Sequence, residues 1–132
     1  MSYGVAAALQ AAIHARLTGW PALAGVAVQD AVPAGGAGET WIQIGAEEVL
    51  DASDKTARGA EHRLTVSVIS TAAGFLAAKT VAGAVTDALA DADLALARGH
   101  LVALRFRRAV AARVEDGAER RIDLVFAARV DD

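Results

Sequence analysis

The chain has 132 residues, a formal net charge of −3, no cysteine, and 55% hydrophobic residues. That length suits one domain, residues 1–132, able to bury about two thirds of its unfolded surface. The absence of thiols excludes a disulfide framework and a thiolate metal site, and the acidic balance argues against a general nucleic-acid binder.

The charge is uneven. Residues 1–99 carry six Lys/Arg against ten Asp/Glu, whereas residues 100–132 carry seven Arg against six acids. About a quarter of the chain is alanine, and eleven of the thirteen basic residues are arginine. We read that as the coding bias of a high-GC genome. Alanine adds little buried area and aromatics are only 5%, so stability must come from close packing of Val, Leu, Ile and Ala. The N-terminal MSYGVAAALQ has no basic stretch and no long apolar run, and so does not read as a signal peptide. The longest apolar helical stretch, near residues 74–92, is interrupted by Lys79, Asp87 and Asp91. No segment is expected to span a bilayer, and synthesis is expected to leave the chain in the cytoplasm.

Val5, Leu9, Ile13 and Leu17 recur every four residues, which predicts an amphipathic helix over residues 4–18 with Ser2 as N-cap. Gly19, Trp20 and Pro21 stop it. A short turn leads to residues 26–29, an expected edge strand, and residues 30–39 form a loop with Pro33 and three glycines. A strand starts at Thr40, with Ile42 and Ile44 opposite to Trp41, Gln43 and Gly45. Residues 51–60, DASDKTARGA, read as a projecting polar loop between paired strands. In the next strand, residues 61–71, Leu64, Val66 and Val68 face the core and Arg63, Thr65 and Ser67 face out.

Residues 74–92 predict a second helix with Phe75, Ala78, Ala82, Val85 and Leu89 on one stripe. Gly83 inside it costs about 1 kcal/mol against alanine, which suggests tight packing there. Residues 100–115 and 118–130 form a long hairpin around Asp116-Gly117, a pair that a type I′ turn prefers. On its second arm Ile122, Leu124, Phe126, Ala128 and Val130 alternate with polar residues. On its first arm Leu104, Phe106, Val110 and Val114 mark the core side, and Arg108 breaks the pattern as either a bulge or a buried charge. The order α-β-β-β-α-β-β predicts an α+β fold: an antiparallel β-sheet with two main α-helices packed on one face and a long C-terminal β-hairpin.

Few residues invite chemistry. His14, His62 and His100 have no metal-ligand spacing and read as solvated or interfacial. Glu47, Glu48, Asp51 and Asp54 lack the alternation and glycine of a calcium loop and read as a solvated face. Gly35, Gly36 and Gly38 precede a strand, not a helix, so no phosphate cradle is expected. Ser53, Ser67 and Ser70 have no glycine-flanked elbow or evident His/Asp partner. No catalytic residue, cofactor or metal is assigned. Arg105, Arg107 and Arg113 alternate along one hairpin arm and face Arg120, Arg121 and Arg129 on the other. They form either a charged face that blocks edge aggregation or an interface, with Arg107, Arg113, Glu119 and Asp123 available for pairs across strands or subunits.

Over nearly its full length the chain resembles the tail-completion, or tail-terminator, family of long-tailed phages and gene transfer agents. The resemblance is carried by ALQAAIHARLTG, by QDAVPAGGAGETWIQIG, and by the polar loop and strand EEVLDASDKTARGAEHRLTVSVIS. Gly74, Ala78, Lys79 and Ala82 of the following helix and the closing LRFRRAVAARVEDGAERRIDLVFAARV add to it. Ile69 departs from it, standing where the family often has an aromatic. The resemblance implies a structural virion protein with no enzyme activity, forming a ring, commonly of six subunits. Such a ring caps the head-proximal end of the tail tube, stops its polymerisation and joins it to the head-side connector. The implied partners are further copies of the chain, the tail tube protein and the head-side stopper or connector, with DNA only as passing cargo and no membrane. The implied location is the virion tail or neck, after the cytoplasm of the producing bacterium. The alternatives are another neck ring, a stopper or connector, or a small α+β ligand-binding or enzyme dimer, which would need a closed pocket with His62 or Glu61 as its titrating group. Contacts with neighbours, tube or lumen are expected at the charged, projecting positions Asp51, Asp54, Lys55, Arg58, Glu61, Arg105, Arg107, Arg113, Arg120 and Arg121.

Overall fold

The four-residue spacing of the first helix is realised directly. In the computed structural model, which describes residues 3–30, 38–56, 58–114 and 117–132, a 3-10 turn (Tyr3–Val5) runs into helix α1 (Ala6–Thr18). Val5, Leu9, Ile13 and Leu17 are all buried on one side of it. The expected cap at Ser2, the loop residues Pro33, Gly35 and Gly36, and hairpin residues Glu115 and Asp116 lie outside the described residues. Gly19 closes α1, its N–H donating to the Ala15 carbonyl, and the Trp20 N–H follows by donating to the Leu17 carbonyl.

Then follow β1 (Val28–Gln29), β2 (Thr40–Asp51), β3 (Gly59–Ser70), α2 (Leu76–Leu89), β4 (His100–Val114) and β5 (Glu119–Asp131). The strands form one sheet in the order β1-β2-β3-β5-β4. All neighbours are antiparallel except β1, which pairs in parallel with β2 through Val28↔Ile42 and Gln29↔Gln43. The α+β architecture expected from the sequence is therefore present, with its C-terminal strand pair. One edge differs: β1 runs parallel to β2.

Alternation fixes the two faces of the sheet. Ile42, Ile44, Leu64, Val66, Val68, Ile122, Leu124, Phe126, Ala128 and Val130 are buried with the apolar stripes of α1 and α2. On α2 the buried residues are Ala78, Ala82, Val85, Ala88 and Leu89, whose small side chains let the helix lie close. Arg16 ties the helices together. Its Nε donates to the Ala88 carbonyl at 2.8 Å, one of the C-terminal acceptors that a helix leaves open, while its guanidinium lies 4.8 Å from the Trp20 ring centroid.

Bulges interrupt the alternation, and they correct the sequence reading of the first hairpin arm. The register of β4 on β5 shifts between Leu101 and Ala103 and again between Phe106 and Arg108. A single extra residue exchanges the faces of everything beyond it. Phe106 opposes Phe126 on the helix side, but beyond the shift Ala109 and Ala111 take that side, opposite Leu124 and Ile122. Val110 therefore points outward opposite Asp123 and is 42% exposed; Phe106 is also 42% exposed. Neither is core, and Val114 likewise lies on the outer side. Arg108 breaks the pattern because the strand bulges there. Gly83 also departs from expectation: a β-carbon built on it would meet nothing within 4 Å. It faces open space, so no close contact requires glycine at that position.

Candidate interaction surfaces

The ten singled-out positions fall into three places. The first is the end of the β2–β3 hairpin. β2 and β3 pair as far as Asp51↔Ala60, so the projecting loop is shorter than the sequence suggested. Asp51 caps it: its carboxylate accepts from the Ser53 N–H at 3.2 Å and the Ser53 hydroxyl at 2.7 Å. Those bonds hold the Asp51 carboxyl below its ordinary value of 3.8. Asp54 repeats the device, accepting from the Thr56 N–H at 2.8 Å and hydroxyl at 3.0 Å. Each acid thus shapes the loop backbone, while Lys55 and Arg58 project into solvent.

The second place is the outer face of the sheet, away from the helices. A hollow of about 270 Å³ there is lined by Glu61, Arg105, Arg107, Arg129 and Ala127, among others. Glu61 accepts from Arg63 Nε at 2.7 Å. Arg129 donates from Nη2 to the Ala52 carbonyl at 2.8 Å. Nearby, Ser67 donates to Asp123 Oδ1 at 2.6 Å, and Arg121 donates to both Asp123 (2.8 Å) and Ser67 Oγ (3.1 Å). This network explains why outward-facing Ser67 is nevertheless 1% exposed. Within the chain, then, Asp123 is bonded by Arg121 of its own strand and by Ser67.

The third place is the tip of the β4–β5 hairpin. Arg113 and Arg120 are register partners on the helix side. Arg120 donates to the Gly117 carbonyl at 3.3 Å, and its guanidinium stands 5.9 Å from the Phe75 ring centroid. The arginines of the hairpin therefore form no single alternating face: Arg105 and Arg121 belong to the outer side, Arg113 and Arg120 to the helix side, and Arg107 sits in the bulge.

His62 is the clearest correction among the candidate chemical groups. It is fully buried on the core side of β3, with Nδ1 3.5 Å from Glu47 Oε2. Glu61, the next residue along the strand, faces outward. Adjacent strand residues point to opposite faces, so Glu61 and His62 cannot line one pocket. His14 hydrogen-bonds the Val28 carbonyl at 3.2 Å, and His100 is exposed at the start of β4. Among the described residues, no three His, Asp or Glu side chains gather as a metal site, and no helix is long and apolar enough to cross a membrane.

Comparison with known proteins gives a consistent result. The family profile described as tail completion protein gp17 matches residues 11–131. A solved chain from the virion of a native gene transfer agent particle is 55% identical, with a TM-score of 0.92 over 99% of this chain and 100% of that one. A second solved chain shares the fold at 18% identity, with a TM-score of 0.59 over 96% of this chain and 95% of the other. No curated protein matches.

Proposed function

The chain belongs to the tail completion protein gp17 family, and from that premise we propose that it is a structural virion protein of a tailed particle. In this reading it is a tail terminator. Copies close into a ring, commonly of six, on the head-proximal end of the tail tube, stop tube growth and present a surface to the head-side connector. The observation that carries the reading is the 55% identity, at a TM-score of 0.92 across essentially the whole chain, to a component of a gene transfer agent virion.

The physical character of the surface agrees with a binding role. Charge sits at the two ends of the sheet, on the β2–β3 loop and along the β4–β5 hairpin. The enzyme alternative needed a closed pocket with His62 or Glu61 as its titrating group; His62 is packed into the core and Glu61 stands on the open outer face of the sheet. Head-to-tail contacts repeated by rotation close into a ring when the angle per copy fits. Individually weak contacts would then assemble only on a finished tube, where many act together.

The test is electron microscopy of particles from a strain lacking the gene. Overlong tails, with DNA-filled heads left unjoined, are the expected result. Tails of normal length with leaking heads would assign the protein to a stopper ring, and normal tailed particles would remove the assembly role.

A further inference from the structure

Two stretches of sheet edge are left open among the described residues, and they carry opposite charge. On one side, β1 covers β2 only at Ile42 and Gln43, so the edge of β2 from Gly45 to Asp51 has no strand beside it. That stretch reads GAEEVLD, with Glu47, Glu48 and Asp51. On the other side, β4 pairs only with β5. Its outer edge receives one bond from the preceding linker, from the Asp91 N–H to the Leu104 carbonyl at 2.8 Å. Beyond that point it reads RFRRAVAARV, with Arg105, Arg107, Arg108 and Arg113.

The exposed apolar side chains mark the same edges. Six large hydrophobic residues are exposed among the described residues: Tyr3, Leu50, Leu76, Val102, Phe106 and Val110. Four of them lie on these two strands, Leu50 on β2 and the other three on β4. A free, twelve-to-fifteen-residue strand with apolar side chains is normally an aggregation hazard. Such an edge is tolerable when a defined partner covers it.

We propose that the partner is a second copy of this chain: the β4 edge of one copy pairs with the open β2 edge of the next, extending the sheet from subunit to subunit. This rests on the ring reading above and names the surface that closes the ring. Direction follows from topology. β2, β3, β5 and β4 are antiparallel in succession, so β2 and β4 run in opposite senses. A copy related by rotation about an axis along the strands therefore meets its neighbour in antiparallel register. The levels match as well: Arg105 aligns across the sheet with Ala127, Arg63 and Glu48, and Phe106 with Phe126, Leu64 and Glu47. Without any offset along the strands, the Arg105–Arg108 stretch of one copy lies beside the Glu47–Glu48 stretch of the next. Backbone bonds supply the affinity of such an added strand, and the opposed charges fix partner and direction.

The test is charge exchange, read by particle yield from a strain in which the variant replaces the native gene. The chain R105E/R107E/R108E alters exposed positions and is expected to keep its thermal unfolding transition. Particle yield should fall at least about tenfold, since like charges then meet at every interface. Combining it with E47R/E48R in the same chain should restore particles. Glu47 lies near buried His62, so the pair R105E and E48R is the second exchange, to be used if the larger one misfolds. Normal yield from the arginine reversal overturns edge pairing and leaves the gene-deletion phenotype to judge the terminator reading separately. Loss of particles that neither exchange rescues also overturns it, and assigns the arginines to a different partner.

Discussion

Truncating the two facing phenylalanines should have very unequal consequences. Phe126 is fully buried on β5, between Leu64 on one side and Phe106 on the other. The two rings meet edge to face, with centroids 5.7 Å apart and planes at 66°. Phe126→Ala removes a buried ring from the middle of the core, so the lost transfer energy and the cavity together cost about 3–5 kcal/mol. Phe106 keeps 42% of its surface in water. Burying a whole phenylalanine contributes about 1.5–3 kcal/mol, so Phe106→Ala costs about 1–2 kcal/mol, with solvent filling most of the space. Domains of this kind are stable by only about 5–15 kcal/mol. The first change should lower the melting temperature by roughly 12–20 °C and the second by roughly 4–8 °C. The double variant should show a coupling of about 0.5–1.5 kcal/mol from the ring pair. Urea and thermal unfolding followed by circular dichroism measure all three. Equal losses from the two single variants would refute the reasoning, because Phe106 would then be buried as completely as Phe126 rather than half in water.

Two glycines should respond with opposite sign. Gly83→Ala in α2 meets open space and should raise stability by about 0.4–1 kcal/mol. Gly59→Ala would place its β-carbon 2.7 Å from the Ala52 carbonyl oxygen and should lower stability by about 1–3 kcal/mol; denaturant midpoints read both. The turn at Asp51 should be sensitive to acid. Its carboxyl titrates below 3.8, so the turn's contribution is complete above that value and is lost as the pH falls through the lowered one. The Ser53 amide resonance should then move only under acid conditions, and an amide indifferent to acid would show that the carboxylate does not hold the turn. Finally, reversing Lys55 and Arg58 to Glu should impair particle assembly while leaving the thermal transition of the purified protein unchanged. Normal particle yield would remove the β2–β3 loop from the contact surface.

What the sequence made legible is what burial repeats with a period. The four-residue rhythm from Val5 to Leu17, the alternation through Leu64, Val66 and Val68, and the run from Ile122 to Val130 each have one buried side. In each, the physics of a helix stripe or a strand face leaves one reading. The failures lie where that rhythm changes without a local marker. No glycine or proline announces the register shifts on β4, and only the pair Arg107-Arg108 signals the second one. His62 looked solvated because a strand start is commonly exposed; its burial depends on the antiparallel partners on both sides, which sequence spacing does not encode. The ten candidate contact residues were chosen by charge and projection, and the sheet then divided them among a loop, an outer face and a hairpin tip. The same shifts also have a consequence for assembly. A strand that kept strict alternation would turn Val110 and Val114 inward beside Phe106, with Arg108 among them, and leave Arg105, Arg107 and Arg113 with two alanines outside. With the bulge, Val110 and Phe106 are both partly in water along a free strand edge, among arginines. Such an edge is costly for an isolated monomer, and a neighbouring copy with an open acidic strand would remove that cost.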